Sequence, residues 1–324
     1  MADAINGIST DTEEMPQEFW ELILFAFLVD MPINEWNEFS NDLIYKNRFS
    51  SSHKIVDIID RCADKCKHII GKGTVLYRAR IYDKDPLQEF LQDCFKQLGG
   101  KNDKIHPDMV NALGKFQGMQ IAAFMTSMDK ETAKSEEVRE YYKKWKRKRF
   151  KGYNSEGSGI PPADKTSPGR INPEKISYLY LSEDPWTAAY EVRPIISQHI
   201  SVAKFKTTED IIVYDLTRDP NVDIEHNKNN DNLLLDIIQK QFSEPNSGNP
   251  FKYLPTQYLS EKIKGMGFDG IRFKSSLKYD GINVVLFDNK KCKAVSSDII
   301  RVEEIKMKFT KPDIYSLDSP MKRD

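Results

Sequence analysis

The chain is poor in the residues that carry the most familiar chemistries. Its 324 residues include only four cysteines and five histidines. Cys62, Cys66, Cys94 and Cys292 form no CxxC pair, and Cys62, Cys66 and His68 have no fourth ligand nearby. A zinc site is therefore not supported; no metal is expected, and the thiols read as reduced and structural. That usage suits a cytosol, so a cytoplasmic location is expected. Scattered histidines give little support to a Ser/His or Cys/His nucleophile. GxGxxG after a strand, GxxxxGKS/T, HExxH and GxSxG are all missing, which removes the commonest dinucleotide, P-loop, zinc-protease and hydrolase readings.

Long apolar runs are missing too. The most hydrophobic stretch, Phe19 to Val29, is interrupted by Glu21 and falls short of the roughly 20 residues a membrane span needs. No basic segment followed by an apolar one opens the chain, so no membrane association is expected. Net charge is nearly absent: 48 Lys and Arg against 49 Asp and Glu give −1. The whole chain is not attracted to polyanions, and any site for one must be local.

What is present is a soluble globular composition, 39% hydrophobic and 30% charged, over a length that makes one large domain or two ordinary ones. No Lys or Arg precedes Lys46, and residues 1–15 read as a disordered acidic tail. EFWELILFAFLVD, PINEWNEFSNDLIY and SSHKIVDIIDRCADKCKHII read as helices of a small N-terminal domain over 16–71, the last one ending at Gly71. TVLYRARIY then alternates as a strand. Helical segments fill 83–150, the last ending in a basic run, Lys143 to Arg149, around Trp145. That run reads first as a solvated helix face. The alternatives are a nucleic-acid-binding module or a receptor for the acidic N-terminal segment. GYNSEGSGIPPADKTSPGRINP is a long loop. Beyond it come ISYLYLS, the helix DPWTAAYEV capped by Asp184, HISVAKFKT, DIIVYDL, two helices (NLLLDIIQKQF and TQYLSEKIKGM), and the strands FDGIRFKSS and INVVLFD. Without regular βαβ alternation, the fold class is α+β with mostly antiparallel pairing.

Several polar residues sit at apolar strand and helix ends. Arg78 and Arg80 share a strand face, so each must find anions or carbonyls as an ion pair or a ligand clamp. Arg170 lies in a glycine-preceded turn. Tyr178 and Tyr180 share a face, Glu191 ends the following helix among alanines and aromatics, and Ser275 and Ser276 end a strand.

In order, LYRAR, PGRINP, LYLSEDPWTAAYEVRP, YLPTQYLSEKIKGMGFDGIRFKSS and GINVVLF resemble the RES domain, named for its arginine, glutamate and serine, over roughly Thr74 to Phe287. The resemblance implies an ADP-ribosyltransferase-like split β core with a cleft for NAD, occupying 72–310 with a helical insertion at 83–150, and followed by a tail at 311–324. It also implies an N-terminal extension like that of some members. The activity implied is that of a toxin or defence effector that cleaves NAD, or transfers its ADP-ribose to a protein, and has a cognate antitoxin or trigger. Whether it forms a homo-oligomer is open.

Residue by residue, the resemblance makes Arg78 and Arg170 a pyrophosphate clamp and Tyr180 a wall for the nicotinamide. It makes Glu191 the carboxylate that stabilises the ribose cation from a cleft wall, and Ser275 (alternate Ser276) its hydrogen-bonding support. Asn283 is expected to face the cleft. NAD is the substrate. The long separation between the two arginine motifs departs from compact members.

Overall fold

The computed structural model describes residues 32–49, 52–86, 89, 93, 140, 143–217, 230–244 and 250–306. The helix expected at EFWELILFAFLVD, the one at PDMVNALGKFQGMQIAAFM, and both tails lie outside them. In chain order the elements are α1 (residues 32–45), α2 (Lys54–Arg61), β1 (Lys67–Ile70), β2 (Val75–Tyr82), α3 (Ser155–Ser158), β3 (Leu179–Ser182), α4 (Pro185–Glu191), β4 (His199–Thr207), β5 (Ile211–Leu216), α5 (Asn230–Ser243), α6 (Leu254–Gly265), β6 (Gly270–Lys274), β7 (Ile282–Leu286) and β8 (Cys292–Arg301). They build an α+β fold of mixed sheet flanked by helices, organised as two compact units.

Unit 1 gathers three chain segments, Met1–Lys72, Ile160–Tyr180 and Glu209–Lys291. Trp36, Phe39 and Leu43 recur at helical spacing on α1 and are buried, as are Ile55, Val56, Ile58 and Ile59 of α2. They join Leu234, Leu235, Ile238 and Phe242 of α5, Leu259 and Ile263 of α6, and Tyr214, Ile271, Phe273 and Val285 of the strands in one core. Each such side chain contributes about 1.5–3 kcal/mol by leaving water. Residues 32–71, read in sequence as part of a helical domain, thus share a core with segments two hundred residues further on. Strands run in the order β1-β5-β6-β7, with β5 and β6 parallel and the other two pairs antiparallel.

Two elements differ from the sequence reading. The helix expected through residue 70 stops at Arg61, and after a turn the chain becomes β1. The cause is tertiary: residues 67–70 find backbone partners in Ile211 to Tyr214, and Asp215 N donates to Cys66 O at 2.6 Å. A strand ladder outcompetes a helical pattern whose last turn carries little apolar periodicity. β8, which the sequence did not announce, pairs with β4 from His199↔Arg301 to Thr207↔Cys292 around a bulge at Lys204/Phe205.

Unit 2 comprises Gly73–Gly159, Leu181–Thr208 and Cys292–Asp324. Its strands run β3-β2-β4-β8. β2 pairs with β4 along its whole length, Val75↔Lys206 to Tyr82↔His199, but meets β3 only at Tyr77↔Ser182. Beyond that pair the β3 side of β2 is unpaired among the described residues. Helix α4 starts where Asp184 caps the amides of Trp186 and Thr187, with Pro185 at its first position. Its Ala188 and Ala189 are small enough to let it lie close on Ala79, Ile200 and Val202.

Candidate functional site

In unit 2, side-chain alternation divides β2 between two faces. Ala79 turns to α4, whereas Arg78 and Arg80 turn the other way, toward the turn formed by α3. Arg78 Nη1 donates to Ser158 O at 2.6 Å and to Gly159 O, and Arg80 Nη1 donates to Gly157 O. The turn is itself fixed, because Asn154 caps it through Gly157 N at 2.7 Å and Ser158 Oγ returns to Tyr153 O. Arg80 lies 5.8 Å from the Tyr153 ring centre. Among the described residues neither guanidinium has a carboxylate partner. Burial, and then the adjacent Arg80 charge, pull the Arg78 guanidinium down to about 10, still cationic at neutral pH.

Where β2 and β3 part, a depression of about 470 Å³ opens, lined by Arg78, Ala79, Arg80, Ile81, Tyr153, Gly157 and Val192. Val192 directly follows Glu191, the last residue of α4, so the carboxylate-bearing helix ends at this notch. Glu191 is exposed, as are Trp186 and Tyr190. The alanine face of α4 is buried and the glutamate closes the helix at the surface.

The other sequence candidates belong to unit 1. Arg170 sits in the turn Gly169–Asn172, closed by Gly169 N donating to Asn172 O at 2.9 Å. A β-carbon at Gly169 would come within 2.5 Å of Asn172 Oδ1 and 2.8 Å of the Tyr180 hydroxyl, so only glycine fits. Tyr180 donates to Asn172 Oδ1 at 2.7 Å and accepts from Ile171 N at 3.3 Å. Desolvation pushes its phenol well above the usual range. Its hydroxyl is therefore committed to the turn, leaving only its ring for the walling role expected of it. The Arg170 guanidinium donates to Phe242 O and Glu244 O at the end of α5 and lies 6.0 Å from the Phe273 ring centre. It therefore caps a helix as well as standing as an anion ligand candidate.

Asn283 is buried and pairs with Phe273 across β6 and β7, which puts it on the Phe273 face. Ser275 follows β6; its Oγ accepts from Leu277 N at 3.1 Å and Lys278 N at 3.2 Å, ordering the β6–β7 turn.

Sequence reasoning missed the two side chains that hold the arginine turn. Gln257 Nε2 donates to Gly169 O at 2.7 Å and to Asn172 O at 3.0 Å, and Thr256 Oγ1 donates to Arg170 O at 2.7 Å. Both are buried. The signal was available: a Thr-Gln pair in the first turn of an otherwise amphipathic helix faces inward and must find acceptors.

Among the described residues no group of three or more His, Cys, Asp or Glu is placed to hold a metal, and no helix is long and apolar enough to cross a membrane.

Comparison with curated proteins returns no match. Among solved structures, the crystal structure of the M. tuberculosis MbcT-MbcA toxin-antitoxin complex is similar at 11% identity, over 76% of this chain and 92% of that chain, with a TM-score of 0.34. The RES domain model matches residues 143–310, which include Arg170, Tyr180, Glu191, Ser275 and Asn283 and leave Arg78 before the match. As that match spans just over half of the sequence, the chain belongs to the RES domain family.

Proposed function

We propose that this protein cleaves the bond between nicotinamide and ribose in NAD, and that it acts in the cytosol as a toxin or defence effector restrained by a partner antitoxin or trigger protein. The observation that carries the reading is the notch of unit 2. Two guanidiniums that have no carboxylate partner among the described residues stand on the strand against which the Glu191 helix packs. A strand edge carrying two guanidiniums suits a substrate that is anionic at its pyrophosphate, and Glu191, which ends the helix packed on the other face of that strand, is the carboxylate we assign to the ribose as it becomes cationic.

Arg78 binds a phosphate oxygen through its fork and so fixes where the ribose lies. Arg170 is the second candidate for that clamp, and the Tyr180 ring walls the nicotinamide. The nicotinamide ring is cationic before the reaction, so when the C1′–N bond breaks it leaves as a neutral molecule with the bonding pair and needs no general acid. The ribose becomes oxocarbenium-like, as in glycoside hydrolysis, and Glu191 stabilises that charge. Water or phosphate then adds at C1′; water loses its proton to solvent. Ser275 is assigned a hydrogen bond to a ribose hydroxyl, and Asn283 is assigned to the same substrate. A resident metal has no part in this scheme.

Transfer of ADP-ribose to a protein is the second reading, favoured by the exposure of Glu191, Trp186 and Tyr190, which leaves the reacting end open to a macromolecular acceptor. The experiment that tests the proposal follows free nicotinamide by chromatography when the full chain or its Glu191→Ala variant meets NAD. Release by the parent alone supports it. No release, or equal release from both, overturns it. Label carried from NAD onto protein separates transfer from hydrolysis. Replacement of the cations in 143–149 that abolished function while Glu191→Ala was tolerated would instead establish a nucleic-acid-binding module.

A further inference from the structure

Arg80 is the cation that the family motif leaves without a role. It stands two residues from Arg78 on the same strand face, and the two side chains are held by consecutive carbonyls, Gly157 O for Arg80, Ser158 O and Gly159 O for Arg78. Both line the notch. Elsewhere in the protein a half-buried arginine is neutralised: Arg272 Nη1 meets Asp215 Oδ2 at 2.9 Å. Here two like charges are brought together, and among the described residues only neutral carbonyls answer them. Placing two guanidiniums side by side without a carboxylate is electrostatically costly unless an anion joins them.

The geometry also leaves the useful edge available. Among the described residues only Nη1 of each guanidinium donates to the protein, so the Nε and Nη2 pair, the edge that matches a phosphate, is not consumed. The Tyr153 ring supports Arg80 from one side, and Tyr153 is fixed by its hydroxyl on Asp83 Oδ1 at 2.7 Å and its amide on Ser201 Oγ at 2.9 Å.

We propose that Arg80 is a second anion ligand which, with Arg78, grips both phosphates of a diphosphate, so that a diphosphate linkage rather than a single phosphate is what this notch selects. The inference deepens the NAD-cleaving reading and rests on it only for the identity of the molecule that carries the diphosphate.

The test uses the full chain and titration calorimetry with inorganic pyrophosphate and, separately, inorganic phosphate, on the parent, Arg80→Met and Arg80→Lys. Methionine keeps the unbranched stem, and thermal melting checks that the fold is retained. The parent is expected to prefer pyrophosphate. Arg80→Met should weaken pyrophosphate by about tenfold or more while phosphate changes by less than about twofold, and Arg80→Lys should restore part of the loss. With NAD as substrate, Arg80→Met should raise KM by a similar factor at nearly constant kcat. No pyrophosphate binding by the parent, or an Arg80→Met variant within about twofold of it, overturns the inference. If pyrophosphate binding depends on Arg80 and no nicotinamide is released from NAD, the inference stands and the NAD reading falls. Nicotinamide release with an unaffected Arg80→Met variant has the opposite meaning.

Discussion

The hydroxyl of Tyr180 donates to Oδ1 of Asn172 at 2.7 Å and thereby ties a strand to the turn that carries Arg170. Tyr180→Phe removes the donor and leaves a half-satisfied amide in a dry place. The expected loss is about 1–3 kcal/mol of stability, read as a lower urea midpoint with unchanged slope.

The same turn depends on α6. Gln257→Leu leaves the carbonyls of Gly169 and Asn172 without their side-chain donor, and Thr256→Val does the same to Arg170 O. Each variant should raise KM for NAD more than it lowers kcat, and Thr256→Ser should behave like the parent. In an Arg170→Ala background, Gln257→Leu should add little further, since both changes act through one group.

Arg78 sets the pH dependence expected of the proposed anion binding. Its folded value, about 10, lies below the ordinary arginine range, so the folded protein releases this proton before the unfolded chain does. The charged group therefore costs stability at neutral pH, and that cost fades as pH rises past about 10. An anion acts the other way, favouring the protonated form. Pyrophosphate affinity, corrected for the anion's own ionisation, should fall as pH climbs through about 10, measured calorimetrically.

Cys292 is buried at the start of β8, and burial pushes its thiol up to about 12. Thiolate is scarce at pH 8 and the sulfur is shielded, so alkylation should be slow in the native protein and fast in denaturant, followed peptide by peptide by mass spectrometry.

Phe39 of α1 is wholly buried in the core that also holds Phe242 and Phe273. Phe39→Ala should cost about 3–5 kcal/mol. A chain beginning at Gly71 loses α1, α2 and β1 together, so it should fail to fold rather than display an uncovered active enzyme; circular dichroism decides.

Local grammar carried much of this fold into the sequence. Asp184 followed by Pro185 marks the start of α4, and the alternation of VLYRARIY marks β2 with its arginines on one side. What was not legible depended on distant partners. Residues 67–70 become a strand because Ile211 to Tyr214 lie beside them, and β8, with Ser296, Ser297 and Asp298 at its middle, has weak apolar alternation and exists through its pairing with β4. At the site, the composition of α4 did not say how far Glu191 meets solvent; which face of the helix met the sheet set that exposure. The α3 turn that receives Arg78 and Arg80 gave no signal, because backbone carbonyls have no letter in the sequence.

The chain passes between the two units at Lys72, Gly159, Tyr180, Thr208 and Lys291. Neither unit can therefore be finished early in translation: the first awaits β7, and the second awaits β8. The NAD-cleaving activity proposed above would then be withheld from a nascent chain until β8 has been made.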